Sequence, residues 1–160
     1  MTTTPRAEQM DVPSEYGSPS RLLDWDAVTA RLAEAKHYWL ATIRPDRRPH
    51  VVPLDGQWMD ERWYFGGSPK TVKHRNLLSN PFVTLHLEDA AAAVVVDGAC
   101  EIITPSPQFA ESLAAAMKEK YGYGPPASIH LTGVWMLSPA RVLAWTDVTV
   151  DATRFVFPPA

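Results

Sequence analysis

Between Gly66 and Asn76 the chain reads Gly-Gly-Ser-Pro-Lys-Thr-Val-Lys-His-Arg-Asn, which places a flexible backbone, hydroxyls and four basic side chains directly after a strand-like run, Trp63-Tyr64-Phe65. Gly66 and Gly67 permit positive φ and close approach of a ligand to the main chain. Ser68 is placed to cap a helix opening at Pro69, which would leave its free N–H groups facing outward. Lys70, Lys73 and His74 then fall on the first turns, where a cation opposes the helix dipole and a bound anion would resolve the conflict. The chemistry this spacing suggests is capture of a phosphate-bearing ligand; the alternative is a solvated basic helix. A P-loop is excluded, because Lys70-Thr71 follows Pro69 rather than glycine.

Other reactive side chains offer less. His37, His50, His74, His86 and His130 show neither H-x-x-x-H nor H-x-H spacing, so no metal centre is expected. His50 reads either as a proton donor to a substrate or as a hydrogen-bonded barrel histidine. Ser68 lacks the G-x-S-x-G surround of a hydrolase nucleophile. Cys100 is the single cysteine, which rules out an intrachain disulfide and suits a plain buried thiol in a reducing cytoplasm. No residue is assigned as catalytic.

With 160 residues and 46% hydrophobic content, one domain with a substantial core is expected. The net charge of −3 argues against a general nucleic-acid binder. The longest apolar run, Ala90 to Val96, is too short to span a bilayer, and Arg6, Glu8 and Asp11 stand where a secretion signal needs apolar residues. A cytoplasmic protein without membrane or nucleic-acid partners is therefore expected. Residues 1–21, rich in Thr, Pro and Ser, read as a flexible arm, as does the Pro158-Pro159-Ala160 end, with one domain over 22–157.

The elements that must position the basic segment follow from periodicity. Asp24 or Asp26 caps a first helix running to about His37. Strand-like runs then cover Tyr38 to Ile43, Pro49 to Trp58 and Arg62 to Phe65, joined by short polar turns that imply antiparallel hairpins. Phe82 to Glu88 alternates apolar and polar, and Val94 to Ile103 forms a long strand with Gly98 as a bulge. Ser106-Pro107 opens a helix ending at Gly122. Two last strands, Gly133 to Leu137 and Arg141 to Trp145, are joined at Ser138-Pro139. Six or seven hairpin strands with inserted helices predict a mainly β fold, a closed or half-open antiparallel barrel.

The residues in this order resemble the pyridoxamine 5'-phosphate oxidase-like family of flavin-binding split barrels, over roughly Tyr38 to Phe157. Trp39-Leu40-Ala41-Thr42, Pro45-Asp46 and Arg48-Pro49-His50-Val51-Val52-Pro53 resemble its opening hairpin. Lys73-x-x-Asn76-Leu77 with Ser79-Asn80-Pro81-Phe82 is similar to its phosphate helix and following strand. Val94-Val95-Val96-Asp97-Gly98 and Pro139-x-x-Val142-x-x-Trp145 are similar to later strands, and Asp151-Ala152-Thr153-Arg154-Phe155 resembles the tail of the subgroup that includes deazaflavin users.

The resemblance implies a six- to seven-stranded split barrel that binds coenzyme F420, as first choice, or FMN. Lys73 takes the family's phosphate-lysine position, and the preceding Ser-Arg pair falls on Thr71 and Val72, so the arginine is absent. The implied cofactor contacts are the main chain of His50, Val51, Val52, Pro53 and Leu54 and of Phe65, Gly66, Gly67 and Ser68. Lys70, Thr71, Lys73 and Asn76 would serve the phosphate, with Trp145 near the ring edge. Of the basic segment that reads the substrate phosphate in the oxidase proper, only Arg154 is retained. The implied chemistry is hydride transfer to a small conjugated or quinone-like molecule, in a homodimer with its sites between subunits. The alternative is a non-catalytic flavin or haem carrier or sensor on the same barrel, for which His50 and His86 are the candidate axial ligands.

Overall fold

The computed structural model describes residues 4–158. Among them are nine strands in one sheet, all paired antiparallel. The strands are β1 (Arg6–Gln9), β2 (Tyr38–Ile43), β3 (Pro49–Leu54), β4 (Gln57–Met59), β5 (Arg62–Phe65), β6 (Phe82–His86), β7 (Val94–Ile103), β8 (Val134–Ala144) and β9 (Thr153–Val156). Helices α1 (Trp25–Glu34), α2 (Val72–Ser79), α3 (Pro107–Tyr121), α4 (Ala127–His130) and α5 (Val148–Asp151) are inserted between them. No helix among the described residues is long and apolar enough to cross a membrane.

Period-2 alternation builds the core. Leu40, Leu85, Val96, Val142 and Phe155 lie opposite one another across β2, β6, β7, β8 and β9, and all are fully buried. Each contributes roughly 1.5–3 kcal/mol by leaving water. Trp25, Val28 and Leu32 of α1 close one side of this core, and Trp25 packs against Trp58, Phe155 and Phe157. Cys100 is buried there too, and burial pushes its thiol up to about 12.

The sheet forks at β8. One edge of this strand pairs with β7 along its whole length, while the other is shared between β5, opposite Trp135–Leu137, and β9, opposite Arg141–Ala144. The division falls at Ser138-Pro139, which therefore lies inside one continuous strand rather than between two. Pro139 has no N–H to offer a ladder and faces Gly98, where the β7–β8 register slips as the glycine predicted. At the other end of the sheet β3 is bonded only to β2, and no ladder among the described residues joins it to β4 or β5. The barrel is open there, which makes it a split barrel.

Two further expectations are corrected. The run from Pro49 to Trp58 breaks at Asp55-Gly56, because the end of α3 holds the chain out of register: the Gly56 carbonyl accepts from Lys120 Nζ and the Tyr121 hydroxyl, while its N–H donates to that hydroxyl. The arm expected over residues 1–21 contains β1, which covers the edge of β9 and is fastened by an ion pair between Glu8 and Arg154. A polar strand passes for a flexible arm when its partner lies at the other end of the chain. The segment that resembles the subgroup's tail lies in α5 and β9 and is anchored by buried Asp151. Burial opposes ionisation of that carboxylate, but hydrogen bonds from Thr146, Asp147 and Arg21 outweigh it and hold its pKa below the usual range. The expected ends at Ser106 and Gly122 are as found, with Ser106 accepting from Phe109 N–H and Gly122 left-handed. The last two expected tail residues lie outside the described residues.

The fork predicts a specific sensitivity. A Cβ on Gly98 would stand 2.2 Å from the Ser138 carbonyl oxygen, so Gly98→Ala should lower unfolding free energy by about 1–3 kcal/mol, the usual cost of overpacking. A urea midpoint equal to that of the parent protein would contradict this placement of the fork.

Candidate functional site

The basic segment leads from β5 through α2 toward β6, and its geometry follows from the burial of Lys73. Phe65 ends β5 in the core, stacked between Trp63 at 4.5 Å and Trp135 at 6.2 Å between ring centroids. Lys73, the second residue of α2, lies 5.8 Å above the Phe65 ring and is only 5% exposed. Its ammonium donates one hydrogen bond, 3.2 Å to the Gly66 carbonyl, and no carboxylate among the described residues pairs with it. Burial lowers its pKa, since the charged form has lost water without gaining an anion. Gly67 makes this position possible: it adopts φ 129°, and a Cβ there would stand 2.5 Å from Lys73 Nζ. A Cβ at Gly66 would meet nothing within 4 Å, so there is open space above the carbonyl that Lys73 holds.

The helix starts later than its sequence suggests. Ser68 does not cap it; its hydroxyl accepts from Lys70 N–H and its carbonyl from Thr71, forming a turn ahead of the helix. Thr71 occupies the N-cap without a capping hydrogen bond, so the first N–H groups of α2 lack a side-chain acceptor. Lys70 is exposed and precedes the helix. The buried ammonium, the open space over Gly66 and the uncapped helix end together suit an anion such as a phosphate.

A polar hub fixes α2 to the sheet. Asn76, 2% exposed, donates from Nδ2 to Thr42 Oγ1 at 2.9 Å, and Thr42 donates in turn to the His50 carbonyl at 3.3 Å. His50 Nδ1 stands 3.5 Å from the same hydroxyl, and its pKa is lowered by burial and then by the charge of Arg44. This geometry fits the barrel-histidine reading of His50. Val52 also faces inward, whereas Val51 and Pro53 face outward and are exposed. Of the two main-chain segments expected to carry a ring, 50–54 lies on β3, which has one unpaired edge among the described residues, and 65–68 is the end of β5 and the loop after it.

Trp145 is not brought to this cluster. It follows the far end of β8, where its N–H donates to Ala93, whereas Phe65 pairs with Trp135 near the beginning of that strand. Within one chain, Trp135 is the tryptophan at the site. Its Nε1–H donates to His74 Nδ1 at 3.3 Å, which gives His74 the tautomer with its proton on Nε2. Neither was among the residues expected to contact the cofactor. His74 follows Lys73 directly, but the pairing of Trp135 with Phe65 is long-range and leaves no local signal. Arg154, the remnant of the substrate-phosphate segment, is engaged by Glu8.

A separate cavity lies elsewhere. A groove of about 800 Å3 runs over the outer face of the sheet between Phe82, Asp97 and Pro139, and none of the residues expected to bind cofactor lines it.

Fold and site together define an antiparallel split barrel with an anion-ready loop beside its opening. The pattern of the family described as pyridoxamine 5'-phosphate oxidase matches residues 25–146, and the chain belongs to that family. Among solved structures it is similar to an F420 reductase, at 26% identity and a TM-score of 0.54, over 69% of this chain and 92% of that one. A conserved hypothetical protein from Mycobacterium tuberculosis aligns at 21% identity and a TM-score of 0.66, over 82% and 89%. A haem storage protein from Vibrio cholerae aligns at 21% and 0.56, over 75% and 91%. The last two likenesses concern the fold alone. No curated protein matches the chain.

The hub yields a stability prediction. Thr42→Val would keep the shape of the side chain but leave the buried Asn76 amide without its acceptor, at a cost of about 1–3 kcal/mol. Equal denaturation midpoints for variant and parent would remove Thr42 from the role of hub.

Proposed function

We propose that the chain is an oxidoreductase that binds coenzyme F420, with FMN as second choice, and passes hydride to a small conjugated or quinone-like molecule. The observation that carries this reading is the Lys73 ammonium, buried over Phe65 with one carbonyl for three protons. The similarity to an F420 reductase at 26% identity supports the deazaflavin over FMN. In this reading the cofactor phosphate lies against Lys73, Thr71 and the first N–H groups of α2. Lys70 adds charge at the mouth, and Asn76 holds the helix in place. The main chain of 50–54 and of 65–68 flanks the ring, which when bound supplies the hydride chemistry.

The chain's own contribution is to bind, orient and exclude water. His50 orders β3 beside the opening, and no residue is assigned as a proton donor. Trp145 reaches a cofactor at Lys73 only from a second subunit, in keeping with a homodimer whose sites lie at the interface. Exposed Val51 and Phe82, 47% and 68% accessible on the outer sheet face, are suited to such a contact.

The haem-carrier reading rests on one observation. His86 Nδ1 bonds the Leu87 carbonyl at 2.8 Å, which leaves Nε2 as a free acceptor beside the stacked Trp39 ring.

Titration of apo-protein with coenzyme F420, FMN and haemin, followed by tryptophan quenching, separates these readings. Lys73→Ala should weaken binding of the preferred flavin by about 1.5–3 kcal/mol, the range for a charge-assisted hydrogen bond. Unchanged affinity would take Lys73 out of the site. A haemin complex formed in preference to either flavin, and lost in His86→Ala, would replace the oxidoreductase reading with the carrier.

A further inference from the structure

A second lysine is half-buried at the end of α3, and unlike Lys73 it has found an acceptor for each of its protons. Lys120 Nζ donates to the carbonyls of Ala35 at 3.0 Å and Gly56 at 3.3 Å, and to the Tyr38 hydroxyl at 3.0 Å. The neighbouring Tyr121 hydroxyl donates to the same Gly56 carbonyl at 2.9 Å and accepts from the Gly56 N–H at 3.0 Å. Tyr123, just beyond the helix, donates to the Asp55 carboxylate. Three side chains at one helix end therefore hold Asp55-Gly56, the two residues that join β3 to β4.

Trp63 packs against what they hold. Its indole is fully buried, and its Nε1–H has no hydrogen-bond partner among the described residues, so packing alone sets where the ring lies. On one side is Gly56, where a Cβ would stand 2.5 Å from Trp63 Nε1, and on another is the Tyr38 ring, at 5.1 Å between centroids. Lys120 bonds both of these walls. Trp63 in turn stacks on Phe65 at 4.5 Å, and Phe65 lies beneath the Lys73 ammonium. Rings packed at the density of a protein interior leave little slack to absorb a displacement. We infer that Lys120 and Tyr121 are positioning residues for Lys73: they fix Gly56 and Tyr38, and through the Trp63–Phe65 stack they set the depth at which the Lys73 ammonium is held. The consequence for cofactor binding rests on the reading of Lys73 as the phosphate ligand, whereas the placement of Lys73 does not.

The test follows the pKa of Lys73, by NMR of its ε-methylene in apo-protein, in the parent, Tyr121→Phe, Lys120→Met and a control, Gly98→Ala, which destabilises the sheet at the fork instead. Tyr121→Phe keeps the ring and leaves the Gly56 N–H without its acceptor; should Lys120→Met fail to fold, Tyr121→Phe decides alone. Both should admit water to Lys73 and raise its pKa by about half a pH unit or more, with the control unchanged. No shift in Tyr121→Phe would overturn the inference, and so would an equal shift in Gly98→Ala, which would mark general loosening. A double-mutant cycle then measures affinity for coenzyme F420 or FMN, whichever the parent binds. Tyr121→Phe should weaken binding about threefold or more when Lys73 is present and change it by less than about 1.5-fold in the Lys73→Ala background, whereas additive losses would overturn the coupling. Binding of neither cofactor by the parent would defeat the cofactor reading, and the Lys73 pKa would still decide the positioning.

Discussion

Taking an ammonium out of water is unfavourable unless its protons find acceptors or an anion arrives, and Lys73 has given up water for a single carbonyl. Much of the local structure exists to hold it there. Phe65 lies beneath it because β5 pairs with β8, Gly67 lacks the Cβ that would collide with it, and α2 is pinned by Asn76 to Thr42. Such an arrangement lowers the stability of the apo-protein and becomes favourable when a phosphate supplies the missing acceptors. A cation–π contact with Phe65 offsets part of the loss, on the order of 1 kcal/mol.

The barrel determines where this site opens. β8 divides its second edge between β5 and β9, so the strand that ends in the glycine loop is carried away from the terminal strands and toward α2. The sheet stops at β3 instead of closing, which leaves one edge of β3 without a strand partner beside the loop. A ring lying there meets main-chain donors and acceptors on both sides, and such contacts constrain side-chain identity little.

Legibility in the sequence followed the range of the interactions. Local signals predicted well: strand-like runs marked β2, β5 and β7 over their full spans, and Ser106 and Gly122 bounded α3. Long-range pairing was not visible. Arg6–Gln9 looks like a polar arm until β9 is placed beside it, and Ser138-Pro139 looks like a turn until Gly98 faces it. Around α2, Lys73 and Gly67 stood out by residue type and spacing, and Asn76 by the family resemblance. Ser68 misled because its turn precedes the helix instead of capping it, and Trp145 lies at the far end of β8, away from Lys73 within one chain. Trp135 reaches the α2 region only through folding.

The most direct measurement is the pKa of Lys73, followed by NMR of its ε-methylene in the apo-protein and with saturating coenzyme F420. Burial without an anion predicts an apo value below that of an ordinary lysine, and a phosphate beside the ammonium should return it upward on binding. An apo value already normal, or one that stays lowered when the cofactor is bound, would contradict the claim that Lys73 is held out of water to meet a phosphate.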